Sequence, residues 1–514
     1  MVNSVSEIIA FVLYLASVLA VGIVFFVKSK KSDGGDKDYF LGGREMNGFV
    51  AALSAGASDM SAWVLMGLPG SIYAFGMGQV WISVGLLIGT ALSWIFIAPN
   101  LRRYSIAAKD SITVPQYLTN RFLSDSKVLQ VICAVIFLIA YCVYAASSIV
   151  ACGSLFNTVF GMKNEIAMIG ATIVILVYTF LGGFNAVCWT DFIQGLLMLG
   201  ALMAVPIITL FIMQTPSFAP LAEVVTPEHY YSLLSSGAFD WASISDILSG
   251  LGWGLGYAGM PHIVIRYMSI KSEREMKKSQ VVGTTWTALI LIMASVVALV
   301  AHEYLGTYLP NDNRSLVFIT LVRDIFGKLG GSGAGKVIME FIAGILLSAI
   351  LAASMSTADS QLLASSSAFA SDVYKPVFRK NASNKEMMWA GRIIVIAISI
   401  IALLIAMSPK CAGIMALVEC AWAAFGASFG PVIILSLYWK RLTYKGAVAG
   451  IVVGFLVDAL WYAFLSGPTN LYEIIPGAIA GLLAGIIVSL IDKAPSQDVI
   501  DLFNKAKLPT ERED

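Results

Sequence analysis

Runs of eighteen or more mostly apolar residues recur from one end of this 514-residue sequence to the other. Each is long enough to cross a hydrocarbon core about 30 Å thick as a helix. Each is also far longer than the ~10-residue alternating segments of a membrane barrel. Only 13% of the residues are charged, against about 25% in a soluble globular chain, and the mean hydropathy is +0.81. The fold class that follows is an all-α polytopic membrane protein whose main partner is the lipid bilayer. The net charge of +1 points to no partner, so neither a nucleic acid nor an obligate protein partner is expected. The six cysteines lie in or beside apolar runs without a CxxC pair and read as free packing residues.

Thirteen membrane segments are expected, at about 6–27, 46–73, 77–99, 129–158, 164–183, 187–213, 242–268, 281–304, 335–370, 388–408, 412–437, 444–466 and 471–491. The first has no basic residue before it and Lys28, Lys30 and Lys31 after it, the reverse of a signal peptide. With the N-terminus outside, the loops facing inward hold 27 of the 33 Lys and Arg residues, as the positive-inside rule requires. The C-terminus then lies in the cytoplasm, and the tail 493–514 reads as short, polar and mobile. The remaining loops leave no room for a soluble domain, so the chain is one transmembrane domain. The outer loops at about 214–241 and 305–334 have room only for short surface helices.

Segments 2 and 7 differ from the rest. Segment 2 carries Gly56, Gly67, Pro69 and Gly70 around Asp59, and segment 7 carries Gly250, Gly252, Gly254, Gly256 and Gly259 before Pro261. Glycine and proline both weaken a helix. Small residues also let helices pack closely, so close packing is the bland alternative for either segment alone. The two lie five segments apart and would run in opposite directions. Transporters built from inverted repeats place interrupted helices at such equivalent positions, with the binding site between them. Repeats over about 46–213 and 242–437 follow, with 6–27, 444–466 and 471–491 outside them. A carboxylate at the bilayer centre costs roughly 2.5–3.5 kcal/mol, which places Asp59 beside a cation or a water-filled cavity. It could also cap a broken half-helix.

Segment 9 contains Ser356, Thr357, Asp359 and Ser360. The first, third and fourth stand at i, i+3 and i+4, one face of a helix. Oxygen ligands of this kind suit hard cations, although membrane serines often only bond back to the i−4 carbonyl.

Four stretches carry a resemblance: SAGASDMSAW in segment 2, GGFNAVCWTDFIQGLLML (182–199), GLGYAGMPHI in segment 7 and MSTADSQLL in segment 9. Together they resemble the sodium/solute symporter family, most closely its bacterial proline-carrying members, over nearly the whole chain. The resemblance implies an inverted repeat of five plus five helices, the fold first described in a bacterial leucine transporter, with the first helix of each repeat broken. It implies a sodium ion held by Ala57, Met60, Ala353, Ser356 and Thr357, and L-proline bound near Ser61, Trp63, Tyr144, Trp253, Tyr257 and Pro261. The spacing of Trp253, Tyr257 and Pro261 independently puts these three on one helical face. Asp59 matches an aspartate needed for sodium coupling. Some members bind a second sodium at positions matching Asp191, Ser356, Asp359 and Ser360. Two acids so close stay ionised together only with a cation between them, so a second cation or proton site at Asp191, Asp359 and Ser360 is expected. The pattern departs at Ala62, where glycine is expected, and at Met260, where glutamine is expected.

The function expected is sodium-coupled import of a small amino acid across the cell membrane. The alternatives are a related symporter for another small solute and a passive channel. A channel calls for rings of like residues around an axis. An enzyme calls for a nucleophile-and-base or metal-ligand set, and none is evident; nor is there a GxxxxGK[ST] loop.

Overall fold

The computed structural model describes residues 4–29, 40–181, 183–216 and 218–508. The basic residues Lys30, Lys31 and Lys37, Gly182 of the motif above and the last six residues of the tail lie outside them.

Among the described residues there are helices and an isolated parallel bridge, Met46 to Ile270. That bridge joins the chain just before the broken segment 2 to the chain just after the broken segment 7, through Met46 N–H to the Ser269 carbonyl and Lys271 N–H to the Met46 carbonyl. Ten helices are long and apolar enough to cross a membrane, and an eleventh if the bent pair Gly48–Asp59 and Trp63–Phe75 counts as one. Segment 7 fails that test because it is divided into Trp241–Gly252, a 3-10 stretch Trp253–Ala258 and Pro261–Ser269.

The two breaks have different local causes. In segment 2 the helix Gly48–Asp59 ends at Met60, and the chain resumes at Trp63 with an axis turned by 59°. The glycines and the proline are not where it unwinds. Pro69 sits in the first turn of Leu68–Phe75, a position where its missing N–H costs nothing. Gly56 instead makes room for a neighbour, since a Cβ there would lie 2.5 Å from the Trp286 ring. In segment 7 the break does fall among the glycines. Met60's counterpart there is Met260, extended at φ −77°, ψ 109°, as the residue before a proline tends to be. The other glycines serve packing. The backbones of Gly250 and Gly254 lie directly on those of Gly85 and Gly89 in segment 3, where any Cβ would clash at 2.2 to 2.5 Å. The bland reading of the glycine run therefore holds for part of it.

One expectation is corrected. The tail forms a helix, Gln497–Lys505, from which Val499 and Phe503 are buried. Phe503 meets the Tyr104 ring at 6.0 Å, and the Arg121 guanidinium stands 5.1 Å over it. Its polar outer face hid an apolar stripe only two residues wide. The outer stretch 305–334 holds a short helix, Val317–Gly330, that buries one face with eight residues and exposes Gly327, Lys328 and Leu329. The six cysteines are free thiols, four of them buried.

Candidate functional site

Breaking a helix leaves carbonyls without their usual N–H partners. Ser61 N–H would reach Ala57 in an unbroken helix but donates to the Asp59 carbonyl at 3.0 Å. Val64 N–H, which would reach Met60, donates to Ser61 at 3.1 Å. The Ala57 carbonyl is met instead from the long helix Ala334–Ala368, where Ser356 Oγ donates to it at 2.8 Å. Ser356 Oγ also contacts the Ala353 carbonyl of its own helix at 3.2 Å. Beside them the Thr357 hydroxyl is fully buried and has no hydrogen-bond partner among the described residues. Backbone and hydroxyl oxygens from two elements thus converge on one corner, an arrangement suited to a small hard cation.

Two residues after Ala57, Asp59 is 1% exposed. Its Oδ2 accepts from Tyr257 OH at 2.6 Å, linking the two broken segments, and its Oδ1 has no partner. The side chain is therefore not spent on capping the broken half-helix. The Asp59 carbonyl accepts from Trp63 Nε1 at 3.2 Å and from Tyr144 OH at 3.4 Å. Ser61 Oγ accepts from Trp63 N–H at 3.4 Å. The Trp63 and Trp253 rings lie 5.9 Å apart, tilted by 33°. All these side chains are buried, so the aromatic rings and the carboxylate form one interior cluster, termed the chamber.

Two features of this chamber correct or extend the sequence reading. Trp253, Tyr257 and Pro261 do not share one α-helical face, because 253–258 winds as a 3-10 helix and Pro261 starts the next one. Trp253 and Tyr257 converge all the same on Trp422, at 6.2 and 5.2 Å between ring centroids. Trp422 was not anticipated. It sits in the helix Ile414–Tyr438 and donates from Nε1 to the Trp253 carbonyl at 2.8 Å. The signal was indirect: Gly256 is the residue that leaves room for its indole, a Cβ there falling 2.0 Å from Nε1. Tyr472, from beyond the two expected repeats, also packs against Trp253, at 5.4 Å between ring centroids. Next to Trp253 on that side is a cavity of about 170 Å³, lined also by Asp246, Ser249, Glu419 and Tyr472.

Asp191 and Ser360 meet in a second cluster, at 3.4 Å, with Ser360 Oγ also 3.3 Å from Asp359 Oδ1. The unforeseen member is Arg266. Counted from sequence among the charges of an inward loop, it is 1% exposed in the helix Pro261–Ser269. Its Nη2 lies 2.8 Å from Asp191 Oδ2. Asp191 is in the body of the helix Phe184–Met213, so it caps nothing. Arg44, Arg102 and Arg121, counted likewise, are also buried.

Comparisons with known proteins bear on the family and the fold. The sequence model of the sodium:solute symporter family matches residues 39–454. The high-affinity proline transporter PutP of Bacillus subtilis (strain 168) is 42% identical over 472 residues, covering 91% of this chain and 95% of its own. The sodium/proline symporter of Escherichia coli (strain K12) is 39% identical over 511 residues, covering 98% and 97%. Among solved structures, a Na+-coupled sialic acid symporter in a substrate-bound outward-open state matches with a TM-score of 0.74, at 20% identity, over 96% of this chain and 100% of that one. A nucleobase-cation-symport-1 family transporter in a closed conformation matches with a TM-score of 0.53, at 14% identity, over 91% and 98%. At such identities the structural likeness is one of fold.

Proposed function

The chain belongs to the sodium:solute symporter family, and from that membership we propose that it imports L-proline with sodium across the cell membrane by alternating access. The reading has thirteen membrane-spanning segments, inverted repeats over about 46–213 and 242–437, the N-terminus outside and the C-terminus in the cytoplasm. The matching breaks in segments 2 and 7 support it, as does the fold shared with a sodium-coupled symporter.

One observation carries the mechanism: the Ala57 carbonyl, released by the break, faces Ser356 Oγ at 2.8 Å next to the Thr357 hydroxyl. Sodium, as co-transported substrate, is held by the carbonyls of Ala57, Met60 and Ala353 and the hydroxyls of Ser356 and Thr357. It ties segment 2 to segment 9 and so favours the form in which the chamber is complete. Proline, a small zwitterion with an apolar ring, packs against the indoles of Trp63 and Trp253, with Ser61, Tyr144, Tyr257 and Pro261 around it. Asp59 couples the two, because it is two residues from Ala57 at the end of the same half-helix and hydrogen-bonded to Tyr257 of the chamber. Asp191, Asp359 and Ser360, which match a second cation site of some members, form a second charged locus.

The energetics suffice without ATP. One charge moving inward gains about 2.3 kcal/mol per 100 mV, and a tenfold sodium gradient adds about 1.4 kcal/mol. Together these sustain a several-hundred-fold proline gradient. Uptake of radiolabelled amino acids into proteoliposomes tests the reading. Proline accumulation that requires an inward sodium gradient is expected. Accumulation indifferent to sodium, or selective for another solute, would overturn it.

A further inference from the structure

We infer that Arg266 is a built-in cation that holds the second charged locus permanently, so that a single sodium accompanies each substrate. The inference rests on the symport reading above and concerns how many ions it uses.

The argument is one of occupied atoms. Arg266 Nε donates to Ser54 Oγ at 2.7 Å, and Nη2 donates to Asp191 Oδ2 at 2.8 Å and to Ser360 Oγ at 2.5 Å. Nη1 donates to the His262 carbonyl. Ser54 Oγ in turn donates to Asp191 Oδ2 at 2.7 Å. The guanidinium thus draws together four elements: its own helix Pro261–Ser269, Gly48–Asp59, Phe184–Met213 and Ala334–Ala368. Arg266, Asp191, Ser54 and Ser360 are each at most 2% exposed. A buried carboxylate needs a counter-charge and satisfied hydrogen bonds, and a planar guanidinium with five fixed donors supplies both at once.

Of the residues expected at a second cation site, Asp191 through Oδ2 and Ser360 through Oγ both accept from Arg266, as does the neighbouring Ser54 Oγ. A free ion competes for them with a charge tethered to the same fold, at an effective concentration that dissociation does not lower. Arginine stays protonated at any relevant pH, so the locus is neither emptied nor reloaded in the cycle. Without the arginine, both oxygens of Asp191 become available, because Oδ1 already lacks a hydrogen-bond partner. The site would then take the ion that the guanidinium excludes.

The test counts charges per labelled proline in proteoliposomes at clamped potentials, for the parent, Arg266→Lys and Arg266→Gln. A ratio of one is expected for the parent and for the lysine variant, which keeps the tethered charge. For Arg266→Gln a ratio of two is expected, with the sodium dependence steepening from a Hill coefficient of about one to about two. Sodium should also raise the melting temperature of Arg266→Gln above its value in choline by more than it does for the parent. A ratio of two in the parent would overturn the inference without any variant being made. So would Arg266→Gln at a ratio of one with no added stabilisation by sodium. If Arg266→Gln does not accumulate, the parent's ratio decides. A parent showing no sodium-dependent uptake at all would instead remove the symport reading itself.

Discussion

Asp59 and Asp191 are both buried carboxylates at helix contacts, yet their surroundings are opposite. Asp59 accepts one hydrogen bond, from the neutral Tyr257, and its second oxygen has no partner. Asp191 lies against a guanidinium and two serine hydroxyls. An ionised carboxylate inside a protein is costly unless paired. The protein neutralises one of the two with its own side chain and leaves the other short of positive charge, within a turn of the oxygens released by the break. The contrast separates a structural charge pair from a position whose partner comes and goes.

The largest effect expected from breaking this contrast is on stability, at the filled locus. Asp191→Asn strands a buried arginine, a loss of about 3–5 kcal/mol for a broken buried pair. The amount of folded protein in the membrane should fall sharply; normal levels and a normal melting temperature would mean that the pair is dispensable. Asp59→Asn should behave in the opposite way. Folded protein should persist, while the sodium needed for half-maximal uptake rises about tenfold to a hundredfold, the worth of about 1.5–3 kcal/mol for a charged interaction. Loss of the protein without a change in sodium dependence would reverse the assignment of the two carboxylates.

The chamber can be probed apart from the ion. Trp253→Ala removes a ring that packs against Trp63 and Trp422. At about 2 kcal/mol for a buried aromatic anchor, proline affinity at saturating sodium should weaken about 30-fold. Normal proline affinity with weakened sodium affinity would put the substrate elsewhere. Thr357→Ala deletes one cation oxygen at the cost of about 1 kcal/mol. The half-saturating sodium concentration should rise about fivefold with the helix intact, and equal sodium curves for variant and parent would remove Thr357 from the ion site. The smallest effect belongs to Asp359→Ser. With Arg266 in place, its charge-to-proline ratio should match the parent's, and a shift in that ratio would show that Asp359 carries an ion of its own.

Much of this architecture was legible in the sequence because the bilayer leaves few solutions for a helix that carries polar groups. Asp59 in an apolar run, and a glycine run at the matching place five segments later, are local features that announce a break. Ser356, Asp359 and Ser360 were legible as one face because a helix puts i, i+3 and i+4 together. What was not legible depends on long-range contact. Trp422 lies in an ordinary apolar helix, and only Gly256, 166 positions earlier, records its presence. Arg266 closes a hydrophobic stretch in the way a loop charge does, and only the folded chain brings Ser54, Asp191 and Ser360 to it. The 3-10 winding of 253–258 defeated a spacing argument that assumed an α-helix, although the two aromatic rings still converge. The tail helix was hidden by its polar composition.

The central claim is that the corner at Ala57 and Ser356 and the chamber between Trp63 and Trp253 are two halves of one device. Equilibrium binding of labelled proline to the purified protein, titrated with sodium, tests this most directly. Linkage requires that sodium raise proline affinity by the same factor as proline raises sodium affinity. The account predicts equal factors of about tenfold or more in the parent, and a factor near one in Asp59→Asn. Proline affinity unchanged from zero to saturating sodium in the parent would contradict it.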